Sequence, residues 1–476
     1  MELGLPEDID LIALHRENRN RVFDGFPNAK GEIALFQGGK KFLRYDTDHE
    51  DLFRQESFFF YLFGVNEPGL YGALDLAQRK SYLFIHKPTL DHEIWCGKAK
   101  TLEEFSRIYG IDYVRYTSEI AAVLNELNVT NVHVLEGVNH DSGSAIERLS
   151  FEGDGAFKFD GRVLLDIMSE SRVIKTHLEL ALLQHVNNIS SKAHIQVMQN
   201  CRPGMFEFQL ESSFIHFSSF HGGSRYQAYT CICGTGANGA VLHYGHAGAP
   251  NDRRLEPDDM CLLDMGAEYH CYASDITCSY PANGRFTDSQ RAVYNIVYDA
   301  QRAVEAAVRP GVEWSEMHKL AERVICQGLM DNDFIFGDSV DQLTDLHIPS
   351  LFFPHGLGHF IGLDTHDVGG FPKGRKRLEG PGLSCLRINR VLKANMVLSN
   401  EPGVYFIEAL LRPAFSNDQL KSHLNIAKIE QFMAFGGIRL EDDLIITETG
   451  CINMTRVPRK CSDIESVMAG QPFHHH

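Results

Sequence analysis

Four carboxylates and one imidazole stand out in this 476-residue chain because each lies at the edge of an apolar, strand-like run. Cys261-Leu-Leu-Asp264-Met-Gly ends one run in an acid, and Tyr272-Ala-Ser-Asp275-Ile-Thr places another soon after. A return turn near Gly266 to Glu268 lets the two aspartates face each other on neighbouring strands. Carboxylates taken out of water are costly unless they share a proton or hold a cation. Either aspartate alone reads equally well as a turn cap. Pro354-His355-Gly-Leu-Gly-His359-Phe has histidines four apart, but Gly356 and Gly358 disfavour a helix and the glutamate of a zincin HExxH motif is missing. The glycines instead allow close approach of backbone or ligand, and His359 by itself reads as a core histidine. Met396-Val-Leu-Ser-Asn-Glu401-Pro-Gly and Gly436-Gly-Ile-Arg439-Leu-Glu441-Asp-Asp-Leu-Ile-Ile each add a glutamate to an apolar run. Asp264, Asp275, His359, Glu401 and Glu441 thus form a constellation whose members are individually ambiguous.

Two other motifs carry less. Gly234-Thr-Gly-Ala-Asn-Gly239 matches GxGxxG, but a dinucleotide fingerprint needs a helix to start there. The residues that follow are rich in Gly and end in Pro250, so a turn between strands is expected. Lys373-Gly-Arg-Lys-Arg377 is an isolated basic cluster and reads as a solvated loop.

The elements that must position the constellation are legible in outline. Up to residue 175, β-like runs at Glu32 to Phe36, Ser81 to His86 and Asn131 to Leu135 alternate with helix-compatible stretches such as Thr101 to Tyr109. This half reads as an α/β domain without ligand-type clusters. The second half contains a repeat: helix-like Glu179 to Asn200, then Arg202-Pro203-Gly204 and amphipathic Glu207 to Phe217, followed later by Ser289 to Val308, Arg309-Pro310-Gly311 and Glu316 to Met330. Val293, Ile296, Val297, Ala300, Ala303, Val304 and Ala307 recur at helical spacing and form one stripe. Each Pro-Gly pair ends its helix, because Pro cannot extend it and Gly suits the position beyond. Two related α+β units packed around a common centre are expected, with a site where they meet.

Composition narrows the class. A net charge of −18 (45 Lys+Arg against 63 Asp+Glu) argues against a nucleic-acid protein, and no apolar run reaches the roughly 18 residues needed to span a bilayer. The acidic start is unlike a targeting signal, so a cytoplasmic location is expected. The 11 cysteines lack the spacing of a disulfide framework or a structural zinc site and are expected to be free thiols. His474, His475 and His476 look like a tag remnant.

LLDMGAEYHCYASDITCSYPANG, PHGLGHFIGLDTHDVGG, NEPGVYF and GGIRLEDDLIIT resemble the metal-ligand motifs of the pita-bread metallopeptidases, the family of methionine aminopeptidase, aminopeptidase P and prolidase. YTCICGTGANGAVLHYGHAGAPNDR and LFRQESFFFYLFGVNEPGLYG are similar to its eukaryotic Xaa-Pro dipeptidase members, and the resemblance covers nearly the whole chain. It implies an α/β N-terminal capping and dimerisation domain (residues 1–175) and an α+β pita-bread catalytic domain with pseudo-two-fold duplication (residues 176–476). It further implies a site for two Mn²⁺ ions held by Asp264, Asp275, His359, Glu401 and Glu441, with Asp275 and Glu441 bridging. Such an oxygen-rich set suits hard divalent ions. A water shared by the ions would supply hydroxide. By the same resemblance Glu401 relays a proton, His243 and His366 stabilise the oxyanion or position the leaving nitrogen, Arg387 pairs the substrate carboxylate, and Arg439 binds substrate or orients Glu441. The implied activity is hydrolysis of Xaa-Pro and Xaa-hydroxyproline dipeptides by a homodimer. Ser399-Asn400 precedes Glu401, where the dipeptidases more often carry Thr-Val; the Ser-Asn pair also occurs in aminopeptidase P relatives. Cleavage of Xaa-Pro-Xaa peptides, or a non-catalytic binding role, are the alternatives.

Overall fold

A computed structural model describes Pro6 and residues 9–27, 29–245 and 251–473. The suspected tag remnant, His474 to His476, lies outside them. Two compact units divide the chain, one formed by Glu7–Glu179 and the other beginning at Leu180.

The first unit is built on a six-stranded mixed sheet of β1 (Glu32–Gln37), β2 (Tyr71–Asp75), β3 (Lys80–Ile85), β4 (Tyr113–Tyr116), β5 (Asn131–His133) and β6 (Phe159–Asp160), in the order β4-β3-β2-β1-β5-β6. The β1–β2 and β2–β3 pairs are antiparallel, while β3–β4, β1–β5 and β5–β6 are parallel. Ile33, Ala34, Leu35 and Phe36 of β1 are all buried, as a continuous apolar run requires when both faces of a central strand are covered. The apolar residues Phe58 to Phe63 lie in helix Ser57–Phe63, every residue of which is buried. Glu56 caps it by accepting from the Phe58 and Phe59 amides, and Gly64 ends it at φ 66°, where a Cβ would come within 2.3 Å of the His15 ring. Helix Leu102–Tyr109 begins in a capping box between Thr101 and Glu104.

The second unit repeats one element order. Helices His177–Asn200 and Glu207–Phe220 precede β7 (Tyr226–Gln227), β8 (Ile232–Thr235), β9 (Met260–Asp264), β10 (Ala267–Tyr269), β11 (Tyr272–Ala273) and β12 (Thr277–Pro281). Helices Asp288–Ala307 and Trp314–Asp331 then precede β13 (Val397–Asn400), β14 (Gly403–Tyr405), β15 (Gly437–Arg439), β16 (Asp442–Ile446) and β17 (Cys451–Asn453). Each half contributes a three-stranded antiparallel sheet, β12-β9-β8 and β13-β16-β17. In the stripe of helix Asp288–Ala307, Val293, Ile296, Val297, Ala300 and Val304 are buried, and Ala303 and Ala307 lie half-buried at its margin.

Two local expectations meet the structure differently. The GxGxxG segment does start no α-helix: β8 runs into a 3₁₀ turn over Gly236–Ala240. The reversal between the aspartates, however, is not at Gly266 to Glu268. Those residues feed β10, and the chain turns at His270 and Cys271, both at positive φ (46° and 60°). Gly266 is needed for close packing instead, since a Cβ there would lie 1.8 Å from the Ser274 carbonyl oxygen. Among the described residues no helix is long and apolar enough to cross a membrane.

Candidate metal centre

Antiparallel pairing places Asp264, the last residue of β9, opposite Thr277, the first of β12, with Asp275 two residues before it. On the other half, Asn400 pairs with Asp442 at the facing ends of β13 and β16, which leaves Glu401 and Glu441 adjacent just beyond the ladder. His359 comes from an irregular segment laid on β13. Its amide donates to Ser399 Oγ at 3.0 Å, and its carbonyl accepts from the Ser399 amide at 2.9 Å. Gly358 makes this approach possible, because a Cβ there would sit 2.1 Å from the Ser399 carbonyl oxygen.

These five side chains converge. His359 Nε2 lies 3.3 Å from Asp275 Oδ2, 3.4 Å from Glu401 Oε1 and 4.0 Å from Glu441 Oε1. Asp275, His359 and Glu441 offer ligand atoms all within 4.8 Å of one another. Asp264 stands beside them, with Oδ1 accepting from the Tyr229 hydroxyl at 2.5 Å and Oδ2 from Arg439 Nη2 at 2.7 Å. Thr277 Oγ1 donates to Glu441 Oε2 at 2.7 Å, and Ser399 Oγ to Glu401 Oε1 at 3.2 Å.

The electrostatics of the cluster call for positive charge. Burial, and then the charge of Asp264, pushes the Asp275 carboxyl far above the usual carboxylate range; burial and Asp275 do the same to Glu441. Burial raises Glu401 to about 7. Asp275 Oδ1 is buried and has no hydrogen-bond partner among the described residues. His359 Nδ1 faces the Phe360 carbonyl oxygen at 3.0 Å. A carbonyl oxygen can only accept, so Nδ1 carries the hydrogen of the neutral ring, and Nε2 presents a lone pair toward three carboxylates. An acceptor facing acceptors fits a shared cation, and the donor set of oxygens with one imidazole nitrogen fits hard divalent ions.

The remaining expected residues surround this cluster. The His366 ring meets the His359 ring edge-on at 4.4 Å, and burial together with His359 lowers its pKa to about 2. His243 is exposed on its own loop, yet close enough to lower the pKa of His355 and His366. Arg387 is half-buried and acts on His359 and His366 in the same way. Arg439 is buried with Nε on Thr277 Oγ1, Nη1 on the Tyr405 hydroxyl and Nη2 on Asp264. It therefore reaches Glu441 through Thr277.

Several participants lie in or beside the quoted motifs without standing out as site residues. Tyr229, Thr277, Ser399 and Tyr405 are hydroxyls that look like ordinary strand residues, and only their partners single them out. His355, whose Nε2 lies 2.9 Å from the Tyr405 hydroxyl, was visible as the first of the paired histidines. Asp442 and Asp443 had a signal too, since two acids beside Glu441 in an apolar run must be held by something.

Comparison with known proteins agrees with this geometry. Residues 181–448 match metallopeptidase family M24, and residues 15–135 match the N-terminal domain of aminopeptidase P. A Homo sapiens Xaa-Pro dipeptidase is 47% identical over 463 residues, covering 96% of this chain and 94% of its own. A probable Xaa-Pro aminopeptidase of Phaeosphaeria nodorum is 34% identical, with 94% of each chain covered. Escherichia coli aminopeptidase P, solved with the inhibitor Pro-Leu, superposes with a TM-score of 0.78 at 31% identity, over 96% of this chain and 98% of its own. A match that spans both halves of the carboxylate cluster, with relatives aligned over nearly their whole length, makes the chain a member of metallopeptidase family M24.

Proposed function

We propose that the chain is a metal-dependent dipeptidase that hydrolyses Xaa-Pro dipeptides, and Xaa-hydroxyproline dipeptides with them, releasing the C-terminal imino acid. The observation that carries the proposal is the buried His359 nitrogen facing Asp275, Glu401 and Glu441, in a chain so similar to a dipeptidase of that specificity. Asp264, Asp275, His359, Glu401 and Glu441 would hold two Mn²⁺ ions. Such ions, when bound, polarise a scissile carbonyl and lower the pKa of water.

The chain's own residues supply the rest. Glu401, with a carboxyl near neutrality and an oxygen held by Ser399, accepts and returns the proton. His366 stays neutral at any working pH, so it donates an N–H to the developing oxyanion without adding charge. His243 serves the leaving imino nitrogen from the neighbouring loop. Arg387 grips the substrate carboxylate with a planar fork. Arg439 orients Asp264 and Thr277. An Xaa-Pro bond lacks the amide hydrogen that strand-like substrate binding uses, which favours a site gripping both ends. We further propose that residues 1–175 cap the site and mediate a homodimer, that residues 176–476 catalyse, and that the enzyme works in the cytoplasm.

Hydrolysis of Gly-Pro and of a Gly-Pro-Xaa tripeptide with Mn²⁺ present tests the reading. Turnover of Gly-Pro is expected. Its absence refutes the dipeptidase, and preferential cleavage of the tripeptide replaces it with an aminopeptidase.

A further inference from the structure

Glu441 is followed by two more buried acids, Asp442 and Asp443, and the three point to different tasks. Asp443 Oδ2 accepts the Asp275 amide at 2.9 Å. Asp442 turns away from the cluster toward two guanidinium groups. It pairs with Arg302 from helix Asp288–Ala307, and with Arg459 through Nε at 2.9 Å and Nη2 at 2.6 Å. Asn453 Nδ2 adds a fourth donor at 2.8 Å.

Arg459 also donates to two backbone carbonyls, and Nη1 to Cys278 Sγ at 3.7 Å. Nη2 donates to the Glu441 carbonyl oxygen at 2.5 Å, and Nη1 to that of Thr277 at 2.8 Å. The same Thr277 carbonyl receives the Glu441 amide at 3.2 Å, and the Thr277 hydroxyl holds Glu441 Oε2. One guanidinium therefore clasps Glu441 to Thr277 at the point where regular pairing stops: β15 ends at Arg439 and β16 begins at Asp442. Without it, Glu441 has only its amide and one carboxylate oxygen tied to β12. Asp442 compensates the buried charge of the clasp, and Arg302 completes the network from a helix surface. A cavity of about 450 Å³ opens onto Arg302, Asp442 and Arg459, with Asn453 and Lys460 in its wall.

We propose that Arg459 is a positioning residue: braced by Asp442 and Arg302, it fixes the Glu441 backbone against Thr277 and so sets the affinity for the divalent cation that Glu441 helps to hold. The proposal rests on the metal-centre reading above. Arg459 bonds the Glu441 and Thr277 carbonyl oxygens and Asp442, and no ligand carboxylate. Outer partners of metal ligands characteristically contribute 10–100-fold in affinity, which is the size of effect the clasp predicts.

The test uses the full-length chain and Mn²⁺ alone. Thermal unfolding of the metal-free protein and calorimetric Mn²⁺ titration are measured for wild type, Arg459→Lys and Arg302→Met. Lysine keeps the charge but cannot span both carbonyls and Asp442; the Arg302 side chain is nearly one-third exposed, and Asp442 keeps Arg459 and Asn453 when it is replaced. Metal-free unfolding close to wild type, with Mn²⁺ affinity reduced roughly 10–100-fold for Arg459→Lys and several-fold for Arg302→Met, supports the proposal. Wild-type affinity in both variants overturns it, as does an affinity loss that merely tracks lost metal-free stability. If Arg459→Lys fails to fold, Arg302→Met decides alone: unchanged affinity overturns the proposal and weakened affinity with intact folding supports it. A wild-type chain that binds no Mn²⁺ refutes the metal centre itself, an outcome distinct from failure of the clasp.

Discussion

Asp275 illustrates how one residue can be costly to the fold and essential to the chemistry. Its buried Oδ1, without a hydrogen-bond partner among the described residues, and its proximity to other carboxylates destabilise the metal-free chain. Asp275→Asn removes the cost of burying that acid, so its metal-free unfolding temperature should equal or exceed wild type. Mn²⁺ should no longer raise it, whereas wild type gains about 2.7 kcal/mol per site at a hundredfold excess over Kd. Differential scanning calorimetry with and without Mn²⁺ checks both statements; full Mn²⁺ stabilisation in the variant would remove Asp275 from the ligand set. Arg387 can be tested by its geometry as well as its charge. Arg387→Lys keeps the charge but loses the fork, so KM for Gly-Pro should rise by about tenfold with kcat little changed, the loss of one strong hydrogen bond. Equal KM values would mean that the carboxylate is held elsewhere.

At the scale of elements, single buried side chains decide whether loops hold their shape. Glu207, near the start of its helix, accepts from the Thr235 amide and hydroxyl, Asn238 Nδ2, the Tyr244 hydroxyl and the Arg253 amide. It thus organises the glycine-rich turn and both flanks of the loop that carries His243. Glu207→Ala strands these donors, and a loss of at least about 3 kcal/mol in denaturant unfolding is expected. A loss below 1 kcal/mol would show that the turn holds itself. His318 acts on a different element, helix Trp314–Asp331, where it stacks on Phe353 and burial lowers its pKa to about 4. Its folded pKa lies below its unfolded value near 6.5, so the unfolded chain binds more protons between those limits. Stability from this residue is complete above about pH 6.5 and is lost as pH falls toward 4, by about 3 kcal/mol in all. His318→Gln should flatten the pH dependence of urea unfolding over that window. An unchanged slope would assign acid sensitivity to other groups.

For the whole molecule, the balance of −18 leaves a surface unsuited to phosphate backbones, and a small share of the acids has a specific task. The first unit also exposes large apolar side chains: Phe42 at 77%, Leu43 at 61% and Leu52 at 53%. Clusters of this kind mark interaction surfaces, which accords with the proposed homodimer. Sedimentation should give about twice the 53.6 kDa chain mass. Phe42→Glu should shift the protein toward monomer, and a variant that stays dimeric would move the interface elsewhere.

The sequence by itself marked the candidate ligands. Asp264, Asp275, Glu401 and Glu441 interrupt apolar runs, and charges in such positions are tolerated only where a partner or cation awaits them. It also determined the helices of the duplicated unit, because an apolar stripe and a Pro-Gly stop are local signals. Only the tertiary structure decided which atoms meet. The reversal at His270 and Cys271 was hidden because both are non-glycine residues at positive φ, held there by packing against a propensity that disfavours it. The Thr277 and Arg439 bonds around Asp264 and Glu441, and the reach of Arg459 to a carbonyl 182 residues away, leave no periodicity to read. Such contacts are set by how sheets pack, and a threonine or arginine looks the same in sequence whether it faces water or a buried carboxylate.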